Sequence, residues 1–268
     1  MKKVICILLL LMVSGFLLAG FQAELTLAEY TVSDPEIPKA FDGYRIAVIS
    51  DLHAESFGGN QAELIALVKE AQCDLICLAG DVVNYDTDDF TPVWALIDGL
   101  QGIPMVFSAG NNELSLDGYD ALLSGLTDRG VTVLDDTREP SLAITMGKER
   151  ILIHGYSFSD SRHLGNRLPL AENDCFNILL YHDPYVFPEA ALLDYDLMLS
   201  GHIHGGMVRL PLLGSPLEWL GLEPYTKGEY TSRASTLIVS GGLGAHGALP
   251  RFFNAPEVVV ITLKAPGT

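Results

Sequence analysis

Five short apolar runs in this 268-residue chain each break off into side chains that bind metal ions or protons, and this repetition constrains the fold more than any other feature. "YRIAVIS" runs into Asp51-Leu52-His53, "DLICLAG" into Asp81, "IPMVFSAG" into Asn111-Asn112-Glu113, "FNILLY" into His182-Asp183, and "DLMLS" into Gly201-His202-Ile203-His204. Short β-branched and aliphatic runs bounded by Gly, Asp and Asn are strand signals. Helical patterns lie between the early ones. Leu64, Leu67, Val68 and Ala71 of "NQAELIALVKEAQ" share one face, with Asn60 and Glu63 as a predicted cap; "TPVWALIDGL" and "DGYDALLSGLTDR" follow, the last stopping at Gly130. Strands alternating with helices predict an α/β fold. The later runs "VTVL", "LAITM", "RILIHGY", "TLIVS" and "EVVVITL" are mainly strands, so the back half is richer in β, with no linker or repeat before it.

In an α/β sheet, ligand sites gather at the carboxyl ends of the strands. The five junctions can therefore meet in space, although about 150 positions separate Asp51 from His204. A lone Asp after a strand is an ordinary turn or cap residue, and a lone His such as His182 is an ordinary core residue. Five coincidences of residue type and position are not ordinary, and they define one shared site: Asp51, His53, Asp81, Asn111, His182, His202 and His204. Oxygen and nitrogen ligands in that number, without sulfur, exceed what one tetrahedral ion takes, which points to two divalent ions of the zinc, manganese or iron type. Gly201, Gly205 and Gly206 let the backbone approach closely, so in a tight turn His202 and His204 can each serve one ion.

The motifs "DLH", "GD", "GNNE", "YHDP" and "GHIHGG" in this order strongly resemble the calcineurin-like metallophosphoesterases, and "GGLGAHGALPRFFNAPEVVVITL" looks like the closing segment of their membrane-anchored bacterial branch. The resemblance runs from about Tyr44 to Leu263. It implies a four-layer αββα sandwich of two mixed β-sheets flanked by helices. It also implies that Asp51, His53 and His204 hold one metal and Asn111, His182 and His202 the other, with the Asp81 carboxylate bridging. The implied activity is dinuclear metal-dependent hydrolysis of phosphoric esters, in which hydroxide between two ions about 3.5–4 Å apart attacks phosphorus in line.

One position departs from the family. The His that usually assists the leaving alkoxide is Asn112 here, and an amide cannot donate a proton as an acid. Three readings stay open: substrates with a good leaving group, such as diphosphates or aryl esters; a proton from another group; or a metal-binding or sensor protein without turnover. A similar substitution occurs in members that cleave a nucleotide diphosphate lipid, so it does not imply inactivity. His154 and His246 are the spare imidazoles, each with a stronger ordinary reading, His154 as a satisfied core residue and His246 as part of a solvated glycine-rich loop.

Acidic residues outnumber basic ones 34 to 16, for a net charge of −18. Such a surface repels nucleic-acid backbones and anionic lipid heads, so nucleic acid is excluded as a partner and phosphates need bound cations. The N-terminus, "MKKVICILLLLMVSGFLLAGFQAE", sets two lysines before an uncharged run from Val4 to Phe21 that is just long enough to span a membrane. Cutting after Ala23 or Gly20 places Phe21 or Leu18 where a signal peptidase wants a small residue. Residues 1–23 are therefore read as an uncleaved single-pass anchor in the cell membrane, lysines inside and domain outside, with a cleaved signal and a secreted protein as the alternative. Residues 24–43 are a spacer or a first edge strand, and 44–268 the metallophosphoesterase domain. The apolar segment "LPLLGSPLEWLGLEPY" either packs Leu212, Leu217, Trp219 and Leu222 on the sheet or walls a site for a lipid-like substrate, which with an anchor makes a phosphorylated or diphosphate lipid reasonable. Cys6, Cys73, Cys77 and Cys175 read as small apolar residues without a disulfide framework.

Overall fold

The structure, a computed structural model, describes residues 2–21, 24–137, 139–158, 168–245 and 249–267. Two six-stranded mixed sheets carry the fold. The first runs in the order β1 (Thr26–Ser33), β12 (Glu257–Lys264), β2 (Arg45–Ile49), β3 (Leu75–Leu78), β4 (Met105–Phe107) and β5 (Thr132–Val133). The second runs β10 (Gly228–Ser232), β11 (Ser235–Val239), β9 (Leu197–Ser200), β8 (Phe176–Leu180), β7 (Glu149–Gly155) and β6 (Ser141–Met146). β2 to β5 are mutually parallel, as are β7, β8, β9 and β11, while β12 runs against β2, β6 against β7 and β10 against β11.

Side-chain alternation explains why the central strands read as unbroken apolar runs. On β2, Ile46 and Val48 point into the layer between the sheets, where they join Leu75, Cys77, Ile178, Leu180, Leu197 and Leu199. Their neighbours Ala47 and Ile49 point outward, under helices α2 (Ala62–Glu70), α3 (Thr91–Gly99) and α5 (Tyr119–Asp128). Likewise Leu179 and Met198 face away from the sandwich, against Phe187 and Ala190 of α6 (Phe187–Leu192). A strand covered on both faces has no polar side, so its sequence cannot alternate. The result is the four-layer αββα arrangement of two mixed sheets with helices outside.

Of the two readings of residues 24–43, spacer or first edge strand, Thr26–Ser33 takes the second: it is β1, at the edge of its sheet and paired parallel to β12 from Thr26↔Glu257 to Ser33↔Lys264. The cap predicted at Asn60 does not form: Asn60 and Gln61 both have positive φ, and α2 starts without a side-chain cap. Gln61 instead accepts from Phe57 N–H (2.9 Å) and donates to Glu55 O (2.6 Å), folding the loop before the helix. Cys73, Cys77 and Cys175 are buried free thiols.

All five junctions leave the same edge. Ile49, Leu78 and Phe107 end parallel neighbours of one sheet, and Leu180 and Ser200 end parallel neighbours of the other. At the opposite end, Asp196 precedes β9 and accepts Asn177 N–H at 2.7 Å. Burial, reinforced by Asp34 and Glu36 against that N–H, pushes its carboxyl from 3.8 up to about 6. The folded protein thus binds this proton more tightly than the unfolded chain does, so stability falls as pH rises through that window. Asp196→Asn keeps an acceptor for Asn177 and removes the charge; thermal unfolding should show a gain of about 1–2 kcal/mol at pH 7 and none at pH 4.

Candidate functional site

The junctions close on a buried cluster of two carboxylates and four imidazoles. Asp51 and His182 are fully buried, and Asp81, His53 and His204 nearly so. The side chains form two triads, Asp51 with His53 and His204, and Asp81 with His182 and His202, whose ligand atoms lie within 4.8 Å of one another in each. In the first, His53 Nε2 is 3.2 Å from His204 Nε2 and the rings stack, while His204 Nε2 is 3.3 Å from Asp51 Oδ1. In the second, His182 Nε2 is 3.3 Å from Asp81 Oδ2 and the His202 ring meets the His182 ring edge-on at 5.0 Å. Asp51 Oδ1 lies 3.8 Å from His182 Nε2, so the triads adjoin.

The backbone that presents them is strained. Asp51, His53, Asp81, His202 and His204 all have φ between 49° and 75°, a region that costs an L-residue about 1–2 kcal/mol. Glycines make room for the carboxylates: a Cβ on Gly201 would come within 2.4 Å of Asp51 Oδ2, and one on Gly110 within 2.3 Å of Asp81 Oδ1. Hydrogen bonds then fix each group. His202 N–H donates to the Asp51 carboxylate, and Asn112 N–H donates to Asp81 Oδ1 at 2.9 Å. His182 donates Nδ1–H to Ala79 O at 2.7 Å, which turns Nε2 into the cluster to take either a proton or a cation.

Charge compensation decides the protonation pattern. Burial opposes a charged Asp51, but His204 and His182 prevail and hold its pKa below the usual carboxylate range. Asp81 is held low in the same way, where His182 and Asn112 outweigh burial. His182 goes the other way: burial disfavours the imidazolium, yet Asp81 and Asp51 push it up to about 10. Burial, with His182 behind it, takes His202 down to about 4, and burial lowers His53. The site asks for positive charge and supplies neutral imidazoles around it. Asn111 Oδ1 is moreover buried without a hydrogen-bond partner, and His182 Nε2 faces the Asp81 carboxylate at 3.3 Å. Two carboxylates, imidazoles and an orphaned amide oxygen are the donor set that divalent metal ions take.

Asn112 does not face outward. Its amide Nδ2 donates to Asp81 Oδ2 and its Oδ1 accepts from Tyr85 N–H at 3.2 Å, so both ends are spent inside the frame. His154 donates Nε2–H to Asn177 Oδ1 (3.0 Å) and packs on Tyr195, neither of which belongs to the cluster. His246 lies outside the described residues.

Three supporting residues have roles that the sequence left unassigned. Glu113, fully buried, accepts from Asp81 N–H (2.9 Å), Gly110 N–H (2.8 Å) and Val83 N–H (3.3 Å), tying two junctions together; burial and the Asp81 charge push its carboxyl up to about 7. Arg251 donates to Gly241 O and Gly244 O, clamping the loop whose Gly244 N–H donates to Asp51 O at 2.7 Å. Asn254 donates to His204 O at 2.7 Å. Glu113 already stood in a polar junction, but nothing in the sequence pairs Arg251 or Asn254 with loops they meet only after folding.

Beside His202 and His204 opens a cavity of about 530 Å³, lined chiefly by Ile203, Met207, Val208, Pro216, Leu217 and Leu249. Glu223 also lines it, and its Oε2 is buried without a partner. Of the segment expected to pack on the sheet or wall the site, Leu217 reaches this cavity, whereas Leu212, Trp219 and Leu222 are exposed.

Residues 44–206 match the model of the calcineurin-like phosphoesterases. The chain is 29% identical to the uncharacterized metallophosphoesterase YkuE of Bacillus subtilis over 88% of its own length and 85% of the relative's. It is 27% identical to an uncharacterized metallophosphoesterase of Aquifex aeolicus, covering 91% and 93% of the two chains, and 26% identical to the phosphodiesterase YaeI of Escherichia coli, covering 82% of each. With the matched region spanning more than half of its length and all the junctions from Asp51 to His204, this chain belongs to the calcineurin-like phosphoesterase family and is a metallophosphoesterase that uses divalent metal ions.

Proposed function

We propose that the chain hydrolyses phosphoric esters by in-line attack of water at two divalent cations, manganese, zinc or iron, and that its substrate carries an apolar chain, as a phosphorylated or diphosphate lipid does. The observation that carries this reading is the pair of adjoining triads, Asp51-His53-His204 and Asp81-His182-His202. Asp51, His53 and His204 would hold one cation; Asn111, His182 and His202 would hold the other, with Asp81 shared. Bound there, the cations supply Lewis acidity toward phosphoryl oxygens and acidify water. The protein's part is positional: Ala79 fixes the His182 tautomer, and Glu113 holds the Asp81 and Gly110 backbones in register. The apolar cavity next to His202 and His204 supports the lipid part of the reading. Helix α1 (Lys2–Phe21), long and apolar enough to cross a membrane, supports residues 1–23 as an uncleaved single-pass anchor, with the catalytic domain, residues 44–268 together with β1, extracytoplasmic.

Ligand sharing is open to test. Asp81→Ala should lose both metal equivalents, whereas His53→Ala and His182→Ala should each weaken mainly one. Metal content of the purified variants by mass spectrometry distinguishes these; equal losses from all three would remove Asp81 from the shared position. Glu113→Gln retains only one carbonyl oxygen for three N–H donors. It should weaken manganese affinity by about 10- to 100-fold in calorimetric titration without changing the stoichiometry.

Asn112 sets the leaving-group behaviour. With its amide spent on Asp81 and Tyr85, it offers no proton to a departing oxygen, so kcat/KM should fall steeply as the leaving group's pKa rises. General acid catalysis contributes about 10²- to 10⁴-fold, and alkyl esters should suffer by that order while aryl esters and diphosphates suffer little. Asn112→His should flatten the dependence across a graded ester series at unchanged metal content. A shallow slope in the parent would instead direct attention to Glu223, the unpartnered carboxyl of the adjoining cavity.

A further inference from the structure

Residues 210–222 leave the site directly after His204 and turn their polar atoms inward and their apolar side chains outward. Leu212, Leu213, Trp219, Leu220 and Leu222 are each more than half exposed, Leu212 entirely so. The polar groups that accompany them are engaged internally. Trp219 Nε1–H donates to Leu213 O at 2.5 Å. Glu218, the single charged residue between Leu210 and Leu222, accepts from Tyr230 O–H (2.8 Å) and Thr226 Oγ1. Arg209, just before the segment, donates to Gly205 O (3.2 Å) and Thr226 Oγ1 (2.9 Å). What remains outside is a contiguous leucine and tryptophan surface of the kind that water-soluble monomers seldom leave uncovered.

The same stretch of chain is fastened to α1. Phe252 exchanges backbone hydrogen bonds with Met207 and Arg209, and its ring meets Phe16 and Phe21 of α1 at centroid distances of 6.0 and 5.0 Å. Phe253 N–H donates to Gly20 O at 2.7 Å, capping a terminal carbonyl of that helix. The carboxyl end of the one described helix apolar and long enough to span a bilayer thus sits where residues 210–222 depart. A net charge of −18 repels anionic head groups, so any contact between this domain and a lipid surface must be apolar, and this segment is the uncharged face that meets the requirement.

We propose that residues 210–222 form a second membrane contact. Leu212, Leu213, Trp219, Leu220 and Leu222 dip about 5–10 Å into the bilayer leaflet from which α1 emerges. The cavity beside His202 and His204 is thereby held at the lipid surface, where a phosphate ester with an apolar tail can enter sideways.

Trp219 reports on this without any use of turnover, so the result is independent of the phosphoesterase chemistry. The full chain is reconstituted in phosphatidylcholine vesicles, and the Trp219 emission is taken as the difference between the parent and Trp219→Phe, which leaves Trp94 in place. Insertion predicts a blue-shifted Trp219 component that aqueous iodide barely reaches. Lipids brominated near the glycerol end of the acyl chain should quench it roughly twofold, as a residue at the headgroup boundary requires. Adding phosphatidylglycerol should not strengthen the effect. The triple variant L212E/L220E/L222E changes only exposed positions; it should stay in the membrane fraction through α1 while its Trp219 returns to water-like emission. A Trp219 open to iodide and untouched by brominated lipid would overturn the proposal. Protection from iodide that grows with protein concentration, without quenching by lipid, would overturn it too, by assigning the surface to a second copy of the chain.

Discussion

Two carboxylates buried within a few ångströms of each other are the constraint around which this protein is arranged. Burial raises the pKa of both, and the Asp81 charge raises that of Asp51 further, so alone they would take up protons and lose their value as ligands. His182, His204 and His53, the His202 and Asn112 backbone N–H groups and the Asn112 amide reverse that tendency. These partners arrive on four of the junctions, two from each sheet. The carboxylates therefore keep their charge in a buried site only because both sheets, with their carboxyl ends aligned, bring these partners together, which couples formation of the site to completion of the sandwich.

The coupling has an energetic cost in the backbone. Five of the seven candidate residues occupy left-handed conformations, and glycines stand where any side chain would collide with a carboxylate. Strain of this kind persists only where the surroundings over-determine it. Here the surroundings are the fully buried parallel strands beneath, together with Glu113 and Arg251. Glu113 binds three backbone N–H groups from two junctions, and Arg251 holds the loop against Asp51. Neither residue belongs to the triads, and both determine where the triads stand.

Much of this was legible in the sequence because its cause is local. A strand covered on both faces must be apolar throughout, and the first polar residue after it marks the sheet edge, so the positions of Asp51, Asp81, Asn111, His182 and His202 followed from the pattern alone. What could not be read depends on contacts between distant segments. Asn60 looked like a cap, but Gln61 takes the bonds to Glu55 and Phe57 that shape the loop. Residues 24–43, polar and proline-punctuated, read equally as a spacer or an edge strand, and the choice is made by the open edge beside β12, whose sequence lies more than 220 positions away. The segment around Trp219 has the composition of core, and only its geometry shows that its leucines face out while its polar atoms face in.

Asn112 joins the electrostatics of the site to the choice of substrate. An imidazole at that position could act on a leaving group but would not tie Asp81 to the Tyr85 backbone as the amide does, donating with Nδ2 and accepting with Oδ1. The chain has placed a framework residue where its family usually places an acid. A bond whose leaving oxygen is already a weak base, as in a diphosphate or an aryl ester, does not need that acid, because little charge must be neutralised as it breaks. A diphosphate joined to an apolar tail would satisfy both features at once, the missing proton donor and the adjoining cavity of Ile203, Met207, Val208 and Leu217.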